Sequence, residues 1–320
     1  MKKRLLILIL VLFIAPLFAC SNEAARVGVI FAFDTNIEIK IRANRDLVNK
    51  YYEDVCDIFF HYDALCDNYS NRDINNVYTI NNSEGFIEVD KDLIDVINAA
   101  LKAKEETSGH FDPLIGSVAQ VYKDIIHGLR DYPESDEINL MKDELRNSKI
   151  VIDGNKVKIE GNVMLDLGGI AKGYALSLVK EYLLENNIHY YLINAGSSSI
   201  AMGEKNGGYF AVGLMYSSGA IYIKNGDMGC ASVSNQQTFK GEKRIHHIIN
   251  PLKCEPAEEF FAVYLIGRDS KMIDAYATAF MSMTLDEIES ICLKNDIEYI
   301  IYDNDMKAYS STEDSYYEFG

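Results

Sequence analysis

The sequence predicts an α+β fold, a single intertwined domain in which a mixed sheet carries flanking helices. Three observations predict it. The 320 residues are 48% hydrophobic and 25% charged, which supplies a sizeable core and excludes disordered and fibrous classes. Helix-like and strand-like hydrophobic periods both occur, but not in the strict alternation of a β-α-β series. Strand patterns come as hairpins as often as crossovers, and no internal repeat or Pro-rich linker divides the chain.

The first 19 residues stand apart from the fold. Lys2, Lys3 and Arg4 precede an apolar run over 5–15, which reads as a secretory signal and is shorter than the roughly 20 residues a spanning helix needs. Leu17-Phe18-Ala19-Cys20 resembles a bacterial lipoprotein processing site. Residues 1–19 are therefore expected to be a signal peptide, and Cys20 the lipidated anchor of an exported cell-envelope protein. An ordinary cleaved signal is the alternative. The folded domain is expected over 27–320.

Residues 27–41 alternate and are rich in Val, Ile and Phe, as one or two strands would be. Helical spacing runs over 45–66, with Leu47, Tyr51, Val55, Ile58, Phe59 and Tyr62 on one face. A polar loop (67–73) and a short helical turn (74–78) follow. Asp90 opens a helix through Lys104 with Leu93, Ile94, Ile97, Ala100 and Leu101 inward. Residues 109–113 break the pattern and 117–126 restore a helix. Pro133 and the acids between Asp131 and Glu137 mark 128–148 as a solvated excursion. Alternation around Asp153-Gly154 predicts a hairpin over 149–160. A strand at 163–167, a Gly-rich turn and a helix at 174–186 come next. Strands are expected at 190–194, on to 223, and at 261–266, then helices at 273–283 and 285–295 and strands at 298–302 and 308–309.

Acidic side chains number 48 against 31 basic, a net charge of −17. Loss of the three basic residues of the signal leaves 28, and a net of −20. Such a body repels a phosphate backbone, and no basic patch offsets it, so no nucleic-acid partner is expected. It would also stand off an anionic membrane surface. Besides Cys20, the cysteines are Cys56, Cys66, Cys230, Cys254 and Cys292, an odd set without metal-ligand spacing. They read mostly as buried small hydrophobes, with one disulfide possible.

Chemistry concentrates in three segments. In Asp166-Leu167-Gly168-Gly169-Ile170-Ala171-Lys172-Gly173-Tyr174-Ala175, a strand feeds a glycine turn and then a helix. Free amides at a helix start, glycines and Lys172 together suit a phosphate, although neither G-x-G-x-x-G nor the Lys-Ser/Thr of a Walker loop is present; a generic glycine turn is the plainer reading. Asp274 and Thr278 stand one helical turn apart, so a carboxylate and a hydroxyl converge as hard ligands for Mg²⁺. Alternatively, Asp274 answers the helix dipole and Thr278 bonds a carbonyl. His246-His247-Ile248-Ile249-Asn250-Pro251 offers a proton acceptor, and on a strand only one of the two histidines can face a site. Lesser candidates are Phe111-Asp112-Pro113, otherwise a tight turn, and Asn194-Ala195-Gly196 at a strand end.

Together these segments resemble the ApbE family of flavin transferases. The resemblance rests on Phe111-Asp112-Pro113-x-x-Gly116, the run over 167–175, Asn194-Ala195-Gly196, His246-His247-Ile248-Ile249-x-Pro251 and Asp274-Ala275-x-Ala277-Thr278-Ala279. It implies an ApbE-like domain that uses FAD as substrate with Mg²⁺, and moves FMN onto a threonine hydroxyl of an exported or membrane flavoprotein, releasing AMP. By the same resemblance the Ala171 carbonyl, Asp274 and Thr278 hold the metal, and Gly168, Gly169, Lys172 and Gly173 hold the pyrophosphate. Asn194, Ala195 and Gly196 meet the ligand, His247 is the catalytic base, and Tyr69 or Tyr78 is a candidate flavin wall. Departures from the family pattern are Ser197 for glycine, Asn250 for aspartate, Leu252-Lys253-Cys254 for Thr-Gly and Ser177 for aspartate; Ser232-Val233-Ser234-Asn235 stands in place of Thr-Ser-Gly. Two other readings are FAD cleavage to FMN and AMP by water, and a non-catalytic flavin-binding lipoprotein.

Overall fold

Eight strands make the central sheet of the computed structural model: β1 (Glu23–Ala32), β2 (Thr35–Asn44), β3 (Tyr190–Ala195), β4 (Ser199–Met202), β5 (Met228–Ser234), β6 (Ala262–Gly267), β7 (Glu298–Tyr302) and β8 (Ala308–Ser310). The structure describes residues 22–205, 208–214, 220–223, 228–234, 238–240, 243–311 and 317–318. The expected signal peptide and Cys20 lie outside the described residues. Sheet order follows chain order, and each neighbouring pair is antiparallel. The α+β class is as predicted, but the sheet is antiparallel where a mixed one was expected. The reason is that each long excursion returns to the end of the sheet it left, rather than crossing over.

That return fixes where a site can form. Arg42 pairs with Tyr190, Met202 with Met228 and Ile266 with Glu298 at one end of the sheet. At the opposite end lie the Phe33-Asp34 turn, the 196–198 turn and the described excursion over 243–261, because Ile37 pairs with Ala195, Ala195 with Ser199 and Ser234 with Ala262. Three segments far apart in sequence thus share one rim.

Helices α1 (Val48–Cys66), α2 (Val77–Asn81), α3 (Lys91–Glu106), α4 (Gly116–Ile126), α5 (Ser135–Asn147), α6 (Ala171–Glu185), α7 (Ser270–Phe280) and α8 (Leu285–Asn295) complete the frame. Ile37, Ile39 and Ile41 of β2, Tyr191 and Ile193 of β3, and Val263 and Leu265 of β6 share the main core with residues of α1, α3, α6, α7 and α8. The other sheet face, including Tyr264, Ile266 and Tyr302, packs on Phe210, Ile221 and Ile223 of a small sheet and on Leu214 beside it. Strand β6 is covered on both faces, so all its residues are buried. A third cluster joins Tyr122 of α4 and Ile138, Met141 and Leu145 of α5 to Ile245, Ile249 and Cys254 of the excursion.

Several local expectations shift. Helix α5 occupies most of 128–148: Asp136 and Glu137, which read as solvated, lie in its first turn and complement the helix dipole. The buried face of α1 carries Val48, Tyr52 and Cys56, with Leu47 exposed, because Tyr52 reaches over Gly28 of β1. The expected strand at 163–167 is one parallel bridge, Met164 to Ile115. The Asn81 side chain bonds both the N–H and C=O of Leu165 (2.7 and 2.9 Å), taking the place of a strand partner. Cys56, Cys66, Cys254 and Cys292 are free thiols, and the Cys230 side chain lies outside those described. No helix among the described residues is long and apolar enough to cross a membrane.

Candidate active site

Helices α6 and α7 run antiparallel and close together, and Gly173 permits it. A β-carbon at Gly173 would stand 2.5 Å from Asp274 Cβ, closer than any side chain can pack. The Gly173 N–H instead donates to Asp274 Oδ2 (2.9 Å), and Ser199 Oγ donates to Oδ1 (2.8 Å). One turn further along, Lys271 N–H donates to Ser177 Oγ (3.1 Å), so the serine standing where the family often has aspartate ties α7 to α6. Asp274 is 7% exposed, and burial pushes its carboxyl above the ordinary value against the opposing charge of Lys172 and its two hydrogen bonds.

Asp274 opens onto a chamber of about 320 Å³ at the rim of the sheet, lined also by Gly168, Gly169, Lys172, Thr278, Ser198 and His247. A second chamber of about 410 Å³ adjoins it, lined by Phe33, Asp34, Tyr69, Arg72 and Ala171. Lys123, Asp166, Gly168 and Lys172 line both, so the two form one cleft.

One histidine of the pair faces the cleft and the other does not, but the pair lies in a bend between short strands at Lys243–Ile245 and Ile249–Asn250 rather than on a strand. His246 is buried, with Nε2 2.7 Å from the Ala257 carbonyl, and its Nδ1 accepts from Ile248 N–H (3.2 Å). That arrangement places the proton on Nε2 of a neutral, structural ring. His247 faces the first chamber, open to solvent yet enclosed by its walls. This desolvation and the charges of Lys123 and Lys172 hold its imidazole below the ordinary value. Asn250 does not line the chamber: its Oδ1 accepts from Leu252 and Lys253 N–H (2.9 and 3.3 Å), a turn-forming role that an aspartate would fill equally.

Other predicted residues are placed differently. Gly173 lies behind the chamber wall, and its amide, expected to be free for a phosphate, is taken by Asp274. The Gly168 amide is likewise taken, by Asp166 Oδ1 (2.8 Å). The anion at the start of α6 is therefore the protein's own carboxylate. Asn194, Ala195 and Gly196 line neither chamber: Asn194 Oδ1 accepts from Ser197 N–H (2.9 Å), and Gly196 N–H donates to Asn36 O (3.1 Å). The segment meets the site through Ser198 and Ser199 instead. Tyr69 lines the second chamber and Tyr78 lines neither. The side chains of Ser232, Val233 and Ser234, and residue Asn235, lie outside those described. Phe111 and Asp112 line the first chamber, and Asp112 is also held by Lys104 (2.6 Å), so this motif both turns the chain and faces the site.

Lys123 and His110, which line the first chamber, and Ser199, which bonds Asp274, do not stand out in the sequence. Lys123 and His110 sit outside any glycine or histidine motif, and Ser199 reads as an ordinary strand residue. Only tertiary proximity identifies them.

The donor set suits a hard divalent cation. Among the described residues the hydrogen bonds to the buried Asp274 carboxylate come from neutral donors, and Thr278 Oγ1, on the same helix face, donates to Asp274 O (3.4 Å) as the alternative reading expected, leaving its lone pairs for a cation. Both are oxygen ligands of the kind Mg²⁺ prefers. The group His61, Asp90 and Asp92 is a separate cluster, outside both chambers, and mostly exposed.

The antiparallel α+β frame thus carries a cleft of two chambers, with two lysines in their shared lining and a buried carboxylate and a histidine in the first, a site whose charges suit a phosphate-bearing ligand. The ApbE family model matches residues 33–301, and the chain belongs to that family. It is 26% identical over 231 residues to an FAD:protein FMN transferase of Klebsiella pneumoniae, covering 68% of this chain and 71% of that one. Identity to the Chlamydia muridarum FAD:protein FMN transferase is 21% over 287 residues, 86% and 90% of the two chains. In structure it is similar to the ApbE protein of Thermotoga maritima, with a TM-score of 0.78 and 23% identity over 90% of this chain and 97% of that one. The flavin transferase ApbE of Vibrio cholerae superposes with a TM-score of 0.74 and 18% identity, covering 91% and 98%.

Proposed function

We propose that this protein is an FAD:protein FMN transferase, using Mg²⁺ to move FMN from FAD onto a threonine hydroxyl of an exported or membrane flavoprotein, with release of AMP. The observation that carries the reading is the convergence of Asp274, Thr278, Lys172 and His247 on one chamber joined to a second. The names of the relatives point to the same activity.

The residues account for the chemistry as follows. Lys172 draws the pyrophosphate to the joint of the chambers, against the general repulsion of an acidic body. Asp274 and Thr278 would hold the cation together with the Ala171 carbonyl, and the bound cation neutralises charge on the phosphates. His247, kept neutral by its surroundings, takes the proton of the incoming hydroxyl. The threonine oxygen bonds the FMN phosphorus, the bond to the AMP phosphate breaks, and AMP leaves. Charge supports the cation: acidic side chains outnumber lysines and arginines in the lining of the two chambers, so a dianionic pyrophosphate enters a site without spare positive charge.

The test is incubation of the purified chain with FAD, Mg²⁺ and a threonine-bearing acceptor. AMP with covalent flavin on the acceptor is expected. AMP with free FMN would make the protein an FAD pyrophosphatase, and neither product would leave a non-catalytic flavin-binding protein. We further propose export and anchoring through Cys20; fractionation should move a Cys20→Ala variant out of the membrane pellet, and its retention there would refute the anchor.

A further inference from the structure

Lys123 belongs to none of the motifs that carry the family resemblance, yet it occupies the joint of the cleft. It extends from α4, and its Nζ donates to Tyr69 Oη (2.9 Å) and lies 4.0 Å from Asp166 Oδ2. With Lys172 it lines both chambers, one ammonium from α4 and one from α6. A lysine acting only as a strut between α4 and the 67–73 loop would be expected to meet a carboxylate at close range. Here the near partner is a phenol hydroxyl, the carboxylate stands at the limit of an ion pair, and an ammonium has three donors to give.

FAD consists of two ring systems joined through a pyrophosphate, and the cleft consists of two adjoining chambers whose shared lining carries two lysines. Seating one ring system in each chamber brings the pyrophosphate to the shared lining, within which Lys123 and Lys172 stand. We propose that Lys123 is a second pyrophosphate-binding residue, acting with Lys172 where the two chambers join. This inference rests on the reading of FAD as substrate. The ammonium can stay bonded to Tyr69 while donating to a phosphate oxygen, so binding requires no rearrangement of the 67–73 loop.

The experiment is calorimetric titration of FAD into the full-length protein and its Lys123→Gln and Lys123→Arg variants, at low and high salt. Lys123→Gln should weaken FAD binding about tenfold or more, the loss of one charge-assisted hydrogen bond. It should also flatten the salt dependence of the affinity, since one ionic contact is gone. Lys123→Arg should restore both. Unchanged FAD affinity in Lys123→Gln, or a loss of the same size at every salt concentration, would overturn the role of Lys123 while leaving the transferase reading intact. A wild-type chain that binds no FAD would sink that reading itself.

Discussion

At Asp274 a carboxylate sits where burial opposes its charge, and the folded chain keeps it there with hydrogen bonds from Ser199 and Gly173. Because its folded value is raised, the metal-free protein holds a proton that the unfolded chain has lost, and stability falls as pH rises from the ordinary carboxylate range toward that raised value. Asp274→Asn keeps the shape and removes the charge. It should leave the metal-free melting temperature unchanged or higher and lower flavin transfer by about a hundredfold or more; a rapid-turnover Asp274→Asn variant would reject the site. His247 works in the opposite sense. Its folded value is depressed, so the unfolded chain takes the proton first, and any stability effect is a loss as pH falls below the ordinary imidazole value. If His247 is the base, as proposed, it stays neutral to lower pH, and the acidic limb of kcat/KM against pH should lie below the ordinary imidazole value of about 6.5. A limb at or above it would show that a different group sets the profile.

The approach of α6 to α7 makes the site, and glycine decides the approach. Gly173→Ala would push a methyl group into α7 and should cost about 1–3 kcal/mol, read as a lower denaturation midpoint, with transfer falling because Asp274 shifts with its helix. In the 194–199 turn the family glycine is replaced by Ser197, whose φ is 60°. A serine in the left-handed region is strained by about 1–2 kcal/mol, partly offset by the chain entropy it does not lose. Ser197→Gly is therefore expected to stabilise the protein by about 0.5–1 kcal/mol, measurable by denaturant titration; a destabilised variant would show that the side chain contributes more than the strain costs. Much at this scale was legible beforehand. The 149–160 hairpin, the 285–295 helix and the 298–302 strand follow from local period and turn chemistry. Helix α5 was not, because its acids belong equally to a solvated loop and to a helix N-terminus, and its narrow stripe of Ile138, Met141 and Leu145 has meaning only against α4.

Across the whole molecule, the net charge of −17 opposes an anionic ligand, and the proposed cation site would offset it locally. Mg²⁺ at about a hundred times its dissociation constant should stabilise the fold by about 2.7 kcal/mol, raising Tm by several degrees. The same addition to Asp274→Asn should raise it little; an equal rise in both would place the cation elsewhere, for instance at the exposed His61, Asp90 and Asp92. By itself the sequence determined the α+β class, most helices and strands, the family resemblance, and the three segments that hold Lys172, His247 and Asp274, since these depend on local periodicity and on residue types in fixed spacing. Tertiary structure alone decided that the sheet is antiparallel throughout, that the Gly173 amide serves Asp274 rather than a phosphate, that the 194–196 segment stays outside the cleft, and that Lys123 and Ser199 enter the site. Those outcomes depend on which ends of distant strands meet at one rim and on how closely two helices pack, and contacts between residues so far apart in the chain leave no periodic trace in it.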